Sequence, residues 1–133
     1  MRGTIHHIDL TIKDVKASRA FYESVLGFMG YAIVDDRDEF IDFQLPGQPW
    51  FVGIANAKGE NAGRAHDRHS PGLHHLAWNA ESRGDVDAIY AHLLSIGATI
   101  LDPPAAYPQY GPSYYAVFFA DPDGLKLEYV HKP

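Results

Sequence analysis

Three side chains far apart in the chain, His7, His75 and Glu128, have the chemistry of a divalent-metal site. His7 lies in Ile5-His6-His7-Ile8-Asp9-Leu10 and His75 in Leu73-His74-His75-Leu76-Ala77-Trp78. Glu128 lies in Leu125-Lys126-Leu127-Glu128-Tyr129-Val130, directly after the turn Asp121-Pro122-Asp123-Gly124. Imidazole nitrogen and carboxylate oxygen are donors that divalent transition metals accept, and three of them leave coordination positions open for a substrate. The chain has no cysteine, so thiolate ligands and disulfides are both excluded. Taken singly, each of the three also reads as a polar residue on a solvated strand face, and none sits in a local metal motif such as His-Glu-x-x-His.

The elements that must position them follow from alternation and periodicity. Each residue is embedded in a short run that alternates apolar and polar side chains, as a half-buried strand does. If Ile8, Leu10 and Ile12 pack under a helix, then His7, Asp9 and Thr11 face the other way. By the same count His75, Ala77 and Asn79 share a face, and Glu128 shares one with Val130. The first half reads as a strand near 3–12, a helix near 14–26 capped by Asp14 and ended by Gly27, and strands near 28–35, 39–45 and 49–56. The second half repeats this order. A strand near 72–79 precedes a helix near 85–96, capped by Asp85 and ended by Gly97, and strands near 98–102, 113–120 and 125–131 follow. In that helix Val86, Ile89, Leu93 and Ile96 stand at helical spacing. His7 and His75, Asp14 and Asp85, and Gly27 and Gly97 are all about 70 residues apart, too long for a solenoid unit but right for a duplicated βαβββ module. The stretch 57–71 reads as a connecting loop, and the proline-rich stretch 102–113 as an irregular segment that either covers a pocket or forms a stiff surface crossover.

Bulk properties narrow the class. A chain of 133 residues with 46% apolar and 21% charged content is one ordinary globular domain. No apolar run approaches the roughly 20 residues needed to cross a bilayer, and the N-terminus has no secretory pattern. The expectation is therefore a cytoplasmic protein with no membrane partner. Eleven basic against 17 acidic residues give a net charge of −6, and the basic residues form no stripe, which argues against nucleic acid.

These runs resemble the vicinal oxygen chelate superfamily of glyoxalases, fosfomycin-resistance enzymes, epimerases, extradiol dioxygenases and bleomycin-resistance proteins. The resemblance is carried by His7-Ile8-Asp9-Leu10-Thr11-Ile12-Lys13-Asp14-Val15, Ser18-Arg19-Ala20-Phe21-Tyr22 and Val25-Leu26-Gly27-Phe28. In the second half it is carried by Gly72-Leu73-His74-His75-Leu76-Ala77 and by 119–128 around the Asp-Pro-Asp-Gly turn. It implies one α+β domain over 1–133, with module one at about 1–56 and module two at about 72–133, forming a cupped mixed sheet with helices on its outer face. It further implies one divalent metal per site (Fe, Zn, Ni or Mn) held by His7, His75 and Glu128, a small-molecule substrate and a homodimer. His6 and His74 are then expected on the opposite face as packing or surface residues.

One departure bears on the chemistry. Members that move a proton between carbons use a fourth carboxylate from the end of the first module, where this chain has Pro49-Trp50-Phe51-Val52-Gly53-Ile54-Ala55 and no Glu or Gln. Asp9 is the candidate base in its place, or an orienter of His7. Tyr114 and Tyr115 alternate, so one of them faces the cavity. Tyr115 is the candidate acid, joining Glu128 and Asp9 in the catalytic set. Arg64, Arg68 and Lys126 are the only nearby cations for an anionic substrate. The leading expectation is a metal-dependent lyase, transferase or dioxygenase that grips adjacent substrate oxygens. The alternative is a metal-free small-molecule binder of the bleomycin-resistance kind.

Overall fold

A computed structural model describes residues 1–133 as two compact units, Met1–Arg64 and Ala65–Pro133. Both are built in the order β-α-β-β-β. The first contains β1 (His7–Ile12), α1 (Val15–Phe28), β2 (Ala32–Asp36), β3 (Phe40–Gln44) and β4 (Phe51–Asn56). The second contains β5 (Leu76–Asn79), α2 (Arg83–Ser95), β6 (Thr99–Ala106), a single 3₁₀ turn at Pro108–Tyr110, β7 (Tyr115–Ala120) and β8 (Lys126–His131). Each unit has its own four-stranded mixed sheet, ordered β1-β4-β3-β2 and β5-β8-β7-β6. The first strand lies parallel to the last and the remaining pairs are antiparallel. No helix is long and apolar enough to cross a membrane.

In the first unit α1 covers one face of its sheet. Val15, Tyr22, Val25 and Leu26 of the helix are buried, as are Leu10 and Ile12 of β1, Ile41 and Phe43 of β3, and Val52 and Ile54 of β4. Period-two alternation then turns His7, Asp9, Asp42 and Gly53 to the opposite face. The Asp14 side chain accepts from the Lys16 N–H at 3.0 Å and so caps the helix. The helix runs two residues past the expected stop and through Gly27, and the left-handed residue that ends it is Gly30, at φ +93°.

In the second unit Val86, Ile89 and Leu93 of α2 are buried, as are Val117 and Phe119 of β7 and Leu127 of β8. That leaves Tyr114, Ala116, Phe118 and Glu128 on the face away from the helix. The cap of α2 is Ser82, whose Oγ accepts from the Asp85 N–H at 3.0 Å. Asp85 instead accepts from the Glu81 N–H at 2.9 Å and from the Tyr129 hydroxyl at 2.7 Å, fastening the helix start to β8. Gly97, at φ +70°, ends the helix where expected.

The proline-rich stretch is more regular than its composition predicts. β6 continues through Pro103 and Pro104 to Ala106 because it is an edge strand whose register shifts on both sides of Asp102. A proline costs no ladder hydrogen bond at an edge or a bulge.

Candidate functional site

The second unit brings two of the expected ligands together. Glu128 is 2% exposed, among the most buried side chains of the chain. Its Oε2 lies 3.0 Å from His75 Nε2, and its Oε1 accepts a hydrogen bond from the Tyr114 hydroxyl. The placement follows from local structure. The Asp121 carboxylate accepts from the N–H groups of Asp123 (2.9 Å) and Leu125 (2.8 Å), and Gly124 takes φ +86°, so the chain reverses sharply into β8. Three residues into that turn's outgoing strand, Glu128 stands between Ala77 of β5 and Phe118 of β7. Ala77 is small, so His75, just ahead of β5, can reach the carboxylate.

Around this pair lies an aromatic wall. Ala116, Phe118 and Val130 form a buried cluster against which Tyr107 and Tyr114 pack. Tyr107 meets Phe118 edge-on at 5.4 Å and stacks with Tyr110 at 5.9 Å. The Lys126 ammonium lies 4.5 Å above the Phe118 ring. Burial, and then the Glu128 carboxylate, hold the Tyr114 phenol well above its ordinary pKa. A raised phenol stays protonated and keeps donating to the carboxylate.

Tyr115, the expected acid, lies on the other face of β7. Its hydroxyl donates to Asp87 of α2 at 2.6 Å, and the Arg83 guanidinium sits 4.9 Å over its ring. The tyrosine that touches Glu128 is Tyr114. Alternation shows that the two differ in face, but only the burial of Val117 and Phe119 under α2 shows which face is which.

The first unit holds His7 and Asp9. His7 Nε2 lies 3.5 Å from Asp9 Oδ2, and the ring stacks flat on Phe51 at 4.7 Å. Asp9 and Asp42 flank Gly53 as its register partners on either side. A β-carbon at Gly53 would run into Asp9 Oδ1 and would lie 2.7 Å from Asp42 Oδ1. Burial, and then the neighbouring Asp9 and Asp35 charges, push the Asp42 carboxyl above its ordinary pKa. In the second unit the equivalent register position, the strand partner of the residue two after the histidine, is Glu128. The position of the first unit that matches Glu128 is therefore Gly53, and the carboxylates of its two neighbours fill the space a side chain there would take. No three His, Asp or Glu side chains are gathered into one ready-made metal cage.

His6 and His74 depart from the expected opposite face. Both precede the first residue of their strands, so strand alternation does not govern them. Each ring turns back onto the histidine that follows it, with Nδ1 to Nδ1 distances of 2.8 Å in both pairs.

Residues 4–129 match the model of the glyoxalase/bleomycin resistance protein/dioxygenase superfamily. The protein YqjT of Bacillus subtilis (strain 168) is 32% identical over 126 residues, covering 95% of this chain and 97% of that one. A solved structure from Bacillus halodurans superposes with a TM-score of 0.84 at 27% identity, over 98% of this chain and 97% of that one. A glyoxalase-related enzyme from Fulvimarina pelagi superposes with a TM-score of 0.74 at 28% identity, over 98% and 88% of the two chains.

Proposed function

Because the chain belongs to the glyoxalase/bleomycin resistance protein/dioxygenase superfamily, we propose that it is a divalent-metal-dependent enzyme of lyase, transferase or dioxygenase type. It acts on a small molecule that presents adjacent oxygen atoms, and His7, His75 and Glu128 are its metal donors. The observation that carries this reading is the contact of a buried carboxylate with an imidazole nitrogen, Glu128 Oε2 to His75 Nε2 at 3.0 Å. A carboxylate taken out of water at that depth needs cationic or hydrogen-bonding compensation. The donor types suit iron, zinc, nickel or manganese.

When bound, such an ion supplies Lewis acidity, polarising substrate oxygens and stabilising developing negative charge. The chain's own residues do the rest. Tyr114 fixes the carboxylate through Oε1 and leaves Oε2 toward His75. Tyr107, Tyr110 and Phe118 form an apolar wall against which a substrate is oriented and water excluded. Asp9, beside His7 and over Gly53, is the candidate base.

The test is elemental analysis of protein purified without an affinity tag. About one equivalent of divalent metal per chain, lost in Glu128→Gln and in His7→Ala, is the expected result. Protein that takes up no metal after reconstitution overturns the reading, and a metal-free small-molecule binder then takes its place.

A further inference from the structure

The chain carries two adjacent histidine pairs, and each makes the same unusual contact. In the first unit His6 Nδ1 and His7 Nδ1 are 2.8 Å apart, with the rings nearly perpendicular. In the second unit His74 Nδ1 and His75 Nδ1 are also 2.8 Å apart, and the rings again cross steeply. In both pairs the Nε2 of the second ring faces a carboxylate oxygen, Asp9 at 3.5 Å and Glu128 at 3.0 Å. Both first rings are exposed. One such contact could be incidental, but the same contact built twice from different surroundings calls for a common cause.

The cause is proton bookkeeping on the imidazole. A neutral ring carries one N–H, so fixing the role of one nitrogen fixes the other. A neutral His75 facing an ionised Glu128 carboxylate, which only accepts, carries its proton on Nε2 and accepts at Nδ1. The His74 Nδ1–H is the donor that meets it. If His75 Nε2 is instead to offer its lone pair to a cation, the proton belongs on Nδ1, which then needs an acceptor. His74 serves again, because its own single proton then sits on the exposed Nε2, where water satisfies it. A histidine before a histidine is thus a partner for either tautomer, which a backbone carbonyl or a carboxylate is not.

We propose that His74 and His6 are positioning residues, each holding the ring of the following histidine through an Nδ1–Nδ1 hydrogen bond so that its Nε2 stays aimed at the carboxylate. The inference deepens the metal-enzyme reading and rests on it for its purpose, though the ring pairing itself does not depend on metal.

Two measurements on His74→Leu and His74→Asn test it. Long-range ¹H–¹⁵N spectra of the histidine side chains in metal-free protein report which nitrogen bears the proton. The intact protein should show His75 with its proton on Nε2 and the Nδ1 resonance of a hydrogen-bonded acceptor. In His74→Leu that Nδ1 resonance should move to the position of a free acceptor while the Nε2 proton stays opposite Glu128. Asparagine places an amide near the position of Nδ1, able to donate or accept, so His74→Asn should restore the hydrogen-bonded Nδ1 resonance. In the second measurement, zinc affinity by chelator competition should fall about 10- to 100-fold in His74→Leu, the usual cost of losing a partner behind a metal ligand. It should recover to within about threefold in His74→Asn. An unchanged His75 Nδ1 resonance in His74→Leu, or an asparagine variant no better than the leucine one in both measurements, overturns the proposal. If the unmodified protein binds no zinc, the metal reading fails alone, and the metal-free spectra still decide the role of His74.

Discussion

Glu128 has both oxygens committed, one to Tyr114 and one to His75, and almost no access to water. A buried acceptor that loses a donor costs more than the bond was worth, because the group is left desolvated and unpaired. Tyr114→Phe should therefore weaken metal binding about tenfold, by freeing the carboxylate to turn. Tyr115→Phe should leave binding unchanged, since its hydroxyl serves Asp87 on the helix side. Chelator competition on the two variants in parallel checks this, and equal effects would remove Tyr114 from the site. The His75–Glu128 pair was legible through the family resemblance of the runs that hold the two residues, since alternation alone fits a solvated polar residue equally well. The role of Tyr114 was not, since a Tyr-Tyr pair at a strand's start does not reveal which ring faces the helix. Nor was the turning back of His6 and His74, whose positions outside the strands escape the alternation rule.

At the scale of the element, the turn before β8 sets where Glu128 stands. Asp121 is 3% exposed, and one of its carboxylate oxygens accepts two backbone N–H groups, of which that of Leu125 is buried. Asp121→Ala leaves both without an acceptor and should cost about 2–3 kcal/mol of stability. Asp121→Asn keeps an oxygen in place and should cost about 1 kcal/mol. Urea unfolding midpoints check the pair, and an alanine variant within about 0.5 kcal/mol of the parent would show that the turn holds its shape unaided. This turn was readable in advance from Asp-Pro-Asp-Gly, because only glycine accepts φ +86° without strain. The extent of β6 was not. Two consecutive prolines argue against a strand on local grounds, and only the strand's position at a sheet edge, a property of topology, makes them compatible with one. The cap of α2 was misplaced by three residues for a related reason. Ser82 and Asp85 are both good capping residues, and the bond from Tyr129, distant in sequence, draws Asp85 to a different task.

At the scale of the molecule, one module occurs twice with different equipment. The strand position that carries Glu128 in one unit carries Gly53 in the other, so duplication has supplied the scaffold twice and the buried carboxylate once. Each unit is about half of a 133-residue chain, a size at which a single sheet and helix bury only about 60% of the chain's surface and stability is marginal. Large apolar side chains also stay in water: Ile5 is 68% exposed and Val34 58%. Association of two copies, expected from the family resemblance, would supplement such small cores. If folding is coupled to dimerisation, the thermal midpoint must rise with protein concentration by mass action. With an unfolding enthalpy of about 0.7 kcal/mol per residue, a dimer of this chain absorbs about 190 kcal/mol, which gives a rise of about 2–3 °C per tenfold concentration. Calorimetry across a hundredfold range, paired with sedimentation at both ends, measures it. A midpoint independent of concentration together with a monomer mass would show that the two units are stable without a second copy, and the expectation of a dimer would fall.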